Sequence, residues 1–282
     1  MQFVSQMLSG RRTRLKFDDF SSDWVPIDNG IGQGDPLSMI LYLFYNADLL
    51  EVATGKGQAA VAYVDDANLY VEGDTYKEAY RSIREMLLKE GGAKEWTQTH
   101  QSQFEKSKFA MVGFSCHRVQ DPALPGKTIH EPRPSFTYED VAILPSTEHK
   151  LLGVSLDEEL RWNVQGEKAI AKAVKWTLLA CRLTKPSTGV RATYMRQLYC
   201  TVAIPKFTYA VDVWYTPVQK KEGRKKAKGS VGLVHKLTSV QWLATSAITS
   251  AMHTTASDIL EAHANVLPIE LLLLGICHRA FS

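Results

Sequence analysis

The stretch VAYVDDANLYV, residues 61–71, sets two adjacent aspartates, Asp65 and Asp66, between two apolar runs. The flanking residues have the β-branched and aromatic composition of strands, so the aspartates fall at the turn of a hairpin. Neighbouring side chains of an extended strand point to opposite faces. Two consecutive carboxylates therefore converge only where the backbone reverses, a position that Asp tolerates well. Like charges held close repel unless a cation lies between them, and a divalent ion with oxygen ligands is the usual solution. An isolated Asp-Asp pair is also common in plain surface turns, so the neighbouring sequence decides the reading.

Just upstream lies GIGQGDPLSM, residues 30–39, with three glycines in five residues, a backbone built to bend sharply or to be approached closely. Asp35 followed by Pro36 reads as a helix N-cap with proline in the first turn, and Gln33 and Ser38 lie at the mouth of that helix. Residues 37–52 are apolar nearly all round, which predicts a buried central helix. The glycine-rich mouth could cradle a phosphate, but it has neither the GxxxxGK[ST] nor the GxGxxG spacing. A short link joins this helix to the aspartate hairpin, and such neighbours usually pack together.

The chain has 282 residues, 45% of them hydrophobic and 22% charged, enough for a sizeable core and unlike a disordered segment. The net charge of +3 is unevenly spread. Arg11, Arg12, Arg14 and Lys16 form one basic cluster; Lys220, Lys221, Arg224, Lys225, Lys226 and Lys228 form another. The second is read as a flexible basic loop, balanced between a solvated linker and a phosphate contact, and is compatible with nuclear import. Four scattered cysteines and eight histidines show no disulfide or zinc spacing. No signal peptide opens the chain, and its apolar runs are too short to cross a bilayer, which predicts an intracellular protein without a membrane partner.

Along the chain, residues 3–8 have helical spacing ended by Gly10, with no cap before them, as if the chain began inside a helix. Residues 12–27 read as a hairpin with a basic face, either a charge-protected edge or a nucleic-acid contact. Thr75 and Glu78 form a capping box before an amphipathic helix that ends at Gly91-Gly92. A polar link containing Trp96, a strand over 109–114, a long proline-marked loop over 122–134 and a strand or hairpin over 149–155 follow. From Asp157 the texture becomes helical, including segments 237–252 and 257–264 and a last helix from Pro268 whose Leu271 to Leu274 look exposed.

GQGDPLSM (residues 32–39) and AYVDDANLYVEG (residues 62–73) resemble the second and third conserved blocks of reverse transcriptases. LLGVSLDEELRW (residues 151–162) looks like the primer-grip block of non-LTR, LINE-like retrotransposon enzymes, which leads into the thumb. The resemblance covers most of the chain and keeps the order of the blocks. It implies an α+β fold: a partial polymerase palm over residues 1–156, with a small antiparallel sheet backed by helices, and an all-helical thumb region over 157–282. It implies RNA-directed DNA polymerase activity, with an RNA template, a DNA primer, deoxynucleotides and two Mg2+ ions as partners. Asp65 would be a metal ligand and Asp66 its supporting carboxylate. Gln33 and Gly34 would touch the template base or incoming nucleotide, and Lys108 would lie near the triphosphate.

One departure is plain. The family completes its metal site with another aspartate on a strand upstream of the GQGDPLSM block, and Asp18, Asp19, Asp23 and Asp28 lie in the wrong place for it. With two carboxylates instead of three, metal affinity falls. The expectation is a fragment or decayed copy that needs the missing N-terminal region and does not polymerise alone. The alternatives are a non-catalytic nucleic-acid-binding remnant and a two-metal nuclease, which leaves the GQGDPLSM block unexplained. An RNA-directed RNA polymerase would use the same hairpin.

Overall fold

The computed structural model describes residues 2–32, 34–183, 189–220 and 227–281. Gln33 and Lys221, Arg224, Lys225 and Lys226 of the second basic run lie outside the described residues. The chain divides into two compact units, Met1–Phe109 with Pro134–Ile143, and Ala110–Arg133 with Leu144–Ser282. Helices and short antiparallel strands occur together, as an α+β chain requires, and among the described residues the strands form six separate two-stranded sheets.

The first unit opens with α1 (Gln2–Leu8), after which Gly10 takes the left-handed conformation at φ +62°. A two-strand ribbon follows: β1 (Arg12–Thr13) pairs with β4 (Val25–Pro26), and β2 (Lys16–Phe17) with β3 (Phe20–Ser21). Then comes α2 (Pro36–Asn46), capped as expected, with the Asp35 carboxylate accepting from the Leu37 amide at 2.9 Å. It continues into a 3-10 segment, Ala47–Val52. Strands β5 (Gln58–Tyr63) and β6 (Asp66–Val71) form the aspartate hairpin. Helix α3 (Tyr76–Leu88) starts at the expected cap, the Thr75 hydroxyl accepting from the Glu78 amide at 3.3 Å.

Trp96, expected in a polar link, instead lies in a further helix, α4 (Ala93–Thr99), and is buried. Aromatic contact outweighs the local polarity: its ring stacks on Phe104, which touches Phe109, which meets Tyr138. The strand expected over 109–114 is absent apart from a single parallel bridge between Met111 and Pro145. The proline-marked stretch is not a plain loop either, for it contains β8 (Thr128–His130), which pairs with β7 (Arg118–Gln120) just before it in a second-unit hairpin. The chain returns to the first unit with β9 (Phe136–Tyr138) and β10 (Val141–Ile143).

The largest correction in this unit concerns α2. Only Ser38 of that helix is buried, whereas Met39, Ile40, Leu43 and Phe44 are exposed, Phe44 by 75%. A helix apolar on every side hides all of them only when neighbours surround it, and here the buried contacts come through Leu49 and Val52 of the 3-10 segment.

The second unit adds the expected hairpin, β11 (Glu148–Leu151) with β12 (Val154–Asp157), and then turns helical. Its frame is α5 (Asn163–Cys181) packed on α9 (Val231–Thr249). Ala169, Ala173, Thr177 and Ala180 line one face of α5 at helical spacing, and their small side chains let α9 approach with Leu237, Ala244 and Ile248. Between them run α6 (Ala192–Leu198), a π turn at Tyr199–Ala203 and α7 (Ile204–Phe207). Pro205 has no amide hydrogen to donate, and the wider turn just before it absorbs the loss without ending the helical path. The unit closes with α8 (Val211–Trp214), α10 (Ser257–Ala264) and α11 (Ile269–Phe281).

Leu271 to Leu274 correct the exposed reading of α11, since Leu273 is fully buried in the core and only Leu271 faces out, at 55%. No single helix among the described residues is long and apolar enough to cross a bilayer.

Candidate functional site

Tyr63 pairs with Asp66, so the two central turn residues are Val64 and Asp65, and Asp66 is the first residue of β6. The sequence expectation of both aspartates in the turn is thereby shifted by one place. Both are exposed. One face of the hairpin is tied to α3, where Gln58 Nε2 donates to the Ser82 hydroxyl at 2.8 Å. The opposite face, with Val61 and Tyr63 each 60% exposed, runs up to Asp66 and stays open.

Val64 adopts φ +57°. Two-residue hairpin turns favour a positive φ at their first central position because it matches strand twist, which is why glycine usually occupies it. A β-branched side chain there is strained, by about 1–2 kcal/mol. What holds it is the C-terminal end of α2, where Asn46 Nδ2 donates to the Val64 carbonyl at 3.4 Å; it is this end of the helix, not its glycine-rich mouth, that bonds to the hairpin turn. Val64→Gly removes the strain and adds chain entropy to the unfolded state, for a net gain of roughly 0.5 kcal/mol. A chemical-denaturation midpoint for the first unit that falls in this variant contradicts the strain.

A further predicted residue, Lys108, lies in the short 3-10 segment Lys106–Lys108. Lys108 Nζ pairs with Glu105 Oε2 at 2.8 Å. The hydrogen bond and charge of Glu105 raise the Lys108 pKa above the ordinary lysine value, and the charges of Asp65 and Asp66 add to the rise. The ammonium therefore lies within the field of both hairpin carboxylates.

Lys106 anchors that segment by binding Glu139 at 2.7 Å and Asp140 at 2.8 Å, while Lys94 reaches Glu139 at 3.0 Å. The hydrogen bonds from Lys106 hold both carboxyls below their ordinary pKa. The stabilisation from a depressed carboxyl is fully present above its unfolded pKa and is lost as pH falls through the folded value. In a carboxyl-carbon NMR titration, Glu139 and Asp140 should titrate at lower pH than free carboxyls, and Lys106→Met should move both back up. If neither midpoint moves, Lys106 does not anchor the segment.

At the mouth of α2, Gly34 takes φ +92°, a conformation that glycine adopts without penalty. The Ser38 hydroxyl in the first turn is buried and, among the described residues, has no hydrogen-bond partner. Gly32 lies next to this hydroxyl, for a β-carbon built there meets Ser38 Oγ at 3.9 Å.

Among the described residues no group of three or more His, Cys, Asp and Glu side chains could share a metal ion. Asp65 and Asp66 supply two carboxylates. Their donor chemistry suits Mg2+, which commonly binds one or two carboxylates and completes its octahedron with water and phosphate oxygens.

Sequence reasoning missed Asn46 and Glu105, because neither has a motif and both act through contacts made only in the fold. It also missed a polar depression of about 640 Å³ in the second unit, lined by Arg161, Trp162, Asn163, Ser230 and Lys236.

Fold and site together define an α+β protein with an exposed carboxylate hairpin whose charge reaches a lysine. No protein-family model, curated protein or solved structure matches the chain.

Proposed function

We propose that this chain carries the carboxylate hairpin of an RNA-directed DNA polymerase of the non-LTR retrotransposon kind, with residues 1–156 forming part of a palm and residues 157–282 a thumb region. The observation that carries this reading is the β5–β6 hairpin, which presents Asp65 and Asp66 exposed at its turn, with the charges of both reaching Lys108. The blocks GQGDPLSM and AYVDDANLYVEG support it from the sequence side.

Asp65 and Asp66 would hold Mg2+, which when bound would offset the charge of a deoxynucleoside triphosphate and of the departing pyrophosphate. Lys108 takes a triphosphate oxygen once its pair with Glu105 opens, and the cost of opening is small because both side chains are largely exposed. Gln33 and Gly34 would touch the template base or the incoming nucleotide. An RNA template and a DNA primer are the polymeric partners.

With only two carboxylates in the set, the isolated chain binds metal and nucleotide without extending a primer. The test uses Mn2+ with a deoxynucleoside triphosphate as a paramagnetic probe. Broadening should centre on the backbone signals of Val64 to Ala67 and on Lys108, and should vanish in Asp65→Asn/Asp66→Asn. Broadening elsewhere, or none, overturns the site. Primer extension by the isolated chain that Asp65→Asn abolishes would show instead that two carboxylates suffice.

The absence of a third carboxylate beside the pair among the described residues favours a second reading, a nucleic-acid-binding remnant without catalysis. It predicts binding with steep salt dependence and no turnover, even when a polypeptide carrying the family's upstream aspartate block is added.

A further inference from the structure

The ribbon over residues 11–27 has two chemically different faces, and its pairing shows how they arise. Arg12 pairs with Pro26, Thr13 with Val25, Lys16 with Ser21 and Phe17 with Phe20, while the Leu15 carbonyl accepts from the Ser22 amide at 2.9 Å. Between Ser22 and Val25 one strand has two residues, Asp23 and Trp24, opposite the single Arg14. This is a β-bulge. The extra residue keeps Thr13, Leu15, Phe17, Phe20 and Val25 together on one face. It leaves Arg12, Arg14 and Lys16 in a row on the other, with Trp24 turned toward Arg14.

The Arg14 guanidinium sits 5.0 Å from the centre of the Trp24 ring, and Trp24 remains 60% exposed. Among the described residues no carboxylate pairs with Arg12, Arg14 or Lys16. The nearby acids, Asp18 and Asp19 at the tip and Asp23 in the bulge, make no ion pair with them.

We infer that this basic face is a binding surface for single-stranded nucleic acid, with Arg12, Arg14 and Lys16 on successive phosphates and an unpaired base stacked on Trp24. Alternate residues of a strand stand about 7 Å apart, the scale of the step between phosphates of an extended single strand. Unneutralised cations in such a row, beside an exposed aromatic ring, are the two components of sequence-tolerant single-strand recognition. A duplex does not suit the surface, because its bases hide their faces in the stack and Trp24 would have nothing to cover. The inference does not depend on the polymerase reading, since it concerns binding without metal or nucleotide.

The test is fluorescence anisotropy of a labelled oligouridylate with the full chain at a series of salt concentrations, without divalent ions. Replacing all three cations (Arg12→Gln, Arg14→Gln, Lys16→Gln) should weaken binding and reduce the slope of log affinity against log salt by about 2, at roughly 0.7 per phosphate contact. Trp24→Ala should weaken it about tenfold with the slope unchanged. Phe17→Ser/Phe20→Ser, on the other face, should leave both quantities unchanged. Because the assay contains neither divalent ion nor nucleotide, a failure here is distinct from a failure of the proposed catalytic site. Circular dichroism establishes that each variant is folded.

Absence of binding by the unaltered chain overturns the inference. So does a triple variant with unchanged affinity and slope, a Trp24→Ala variant that binds normally, or binding to phosphatidylserine vesicles in place of the oligonucleotide.

Discussion

Gln241→Leu lowers the melting temperature of the second unit by about 10 °C, corresponding to roughly 3 kcal/mol for a unit of this size. Gln241 is fully buried in α9, and each end of its amide is engaged. Its oxygen accepts from the Tyr199 hydroxyl at 3.3 Å; its nitrogen donates to Glu261 Oε1 at 2.7 Å and to the Leu267 carbonyl at 2.9 Å.

Leucine fills nearly the same space but returns none of these bonds, so two buried polar groups, the Tyr199 hydroxyl and the Glu261 carboxylate, and the part-buried Leu267 carbonyl lose a partner together. Each costs about 1–3 kcal/mol, partly offset by the added apolar burial. Burial raises the Tyr199 pKa well above the ordinary tyrosine value, so its hydroxyl stays a donor over the whole working pH range. Tyr199→Phe should cost only about 1 kcal/mol, since the two stronger bonds of Gln241 survive. The comparison is made by calorimetry on the two variants. Equal melting temperatures for Gln241→Leu and the unaltered chain would mean that the network does not organise this core.

The second large effect lies at the hairpin. Asp65→Asn/Asp66→Asn should reduce Mn2+ affinity, measured with a deoxynucleoside triphosphate present, by on the order of a hundredfold or more. Two unit charges 4 Å apart in water interact by about 1 kcal/mol, and a dication facing two carboxylates multiplies that fourfold, to about 4 kcal/mol. Salt reduces the figure because both carboxylates are exposed.

The amides keep the shape of the turn, so the hairpin itself should persist in circular dichroism. Lys108→Ala gives the opposite signature: metal affinity without nucleotide rises slightly, because a positive charge leaves the field of the carboxylates, while nucleotide affinity falls. Unchanged metal affinity in the double asparagine variant would leave Asp65 and Asp66 as an ordinary surface turn.

Much of the local structure was legible in the sequence. The Asp35-Pro36 start of α2, the Thr75 cap of α3 and the β5–β6 hairpin depend on backbone groups a few residues apart, and their chemistry is complete within each segment. The same holds for the hairpin before α5 and for the helical character of α5 and α9, but not for the inward face of α5, where the apolar Val174, Leu178 and Leu179 are exposed and the smaller Ala169, Ala173, Thr177 and Ala180 are buried.

Other features depended on which surfaces met. Periodicity could not show that α2 would remain open along its apolar flank, since an all-round apolar helix carries no record of how many neighbours it will have. Nor could it show that Trp96 would be drawn into a buried helix by Phe104, or that Leu273 would be covered while Leu271 was not.

For the candidate site, the chain by itself determined the aspartate pair, the turn that presents it and the glycine-rich helix mouth, because short-range hydrogen bonds and torsional preferences specify these. Only the tertiary structure decided that the turn centres on Val64 and Asp65, that Asn46 secures it, and that Lys108 enters the field of the carboxylates. The physical reason is range: a cap or a turn is settled by adjacent peptide groups, whereas the approach of a lysine to a distant hairpin is settled by the packing of everything between them.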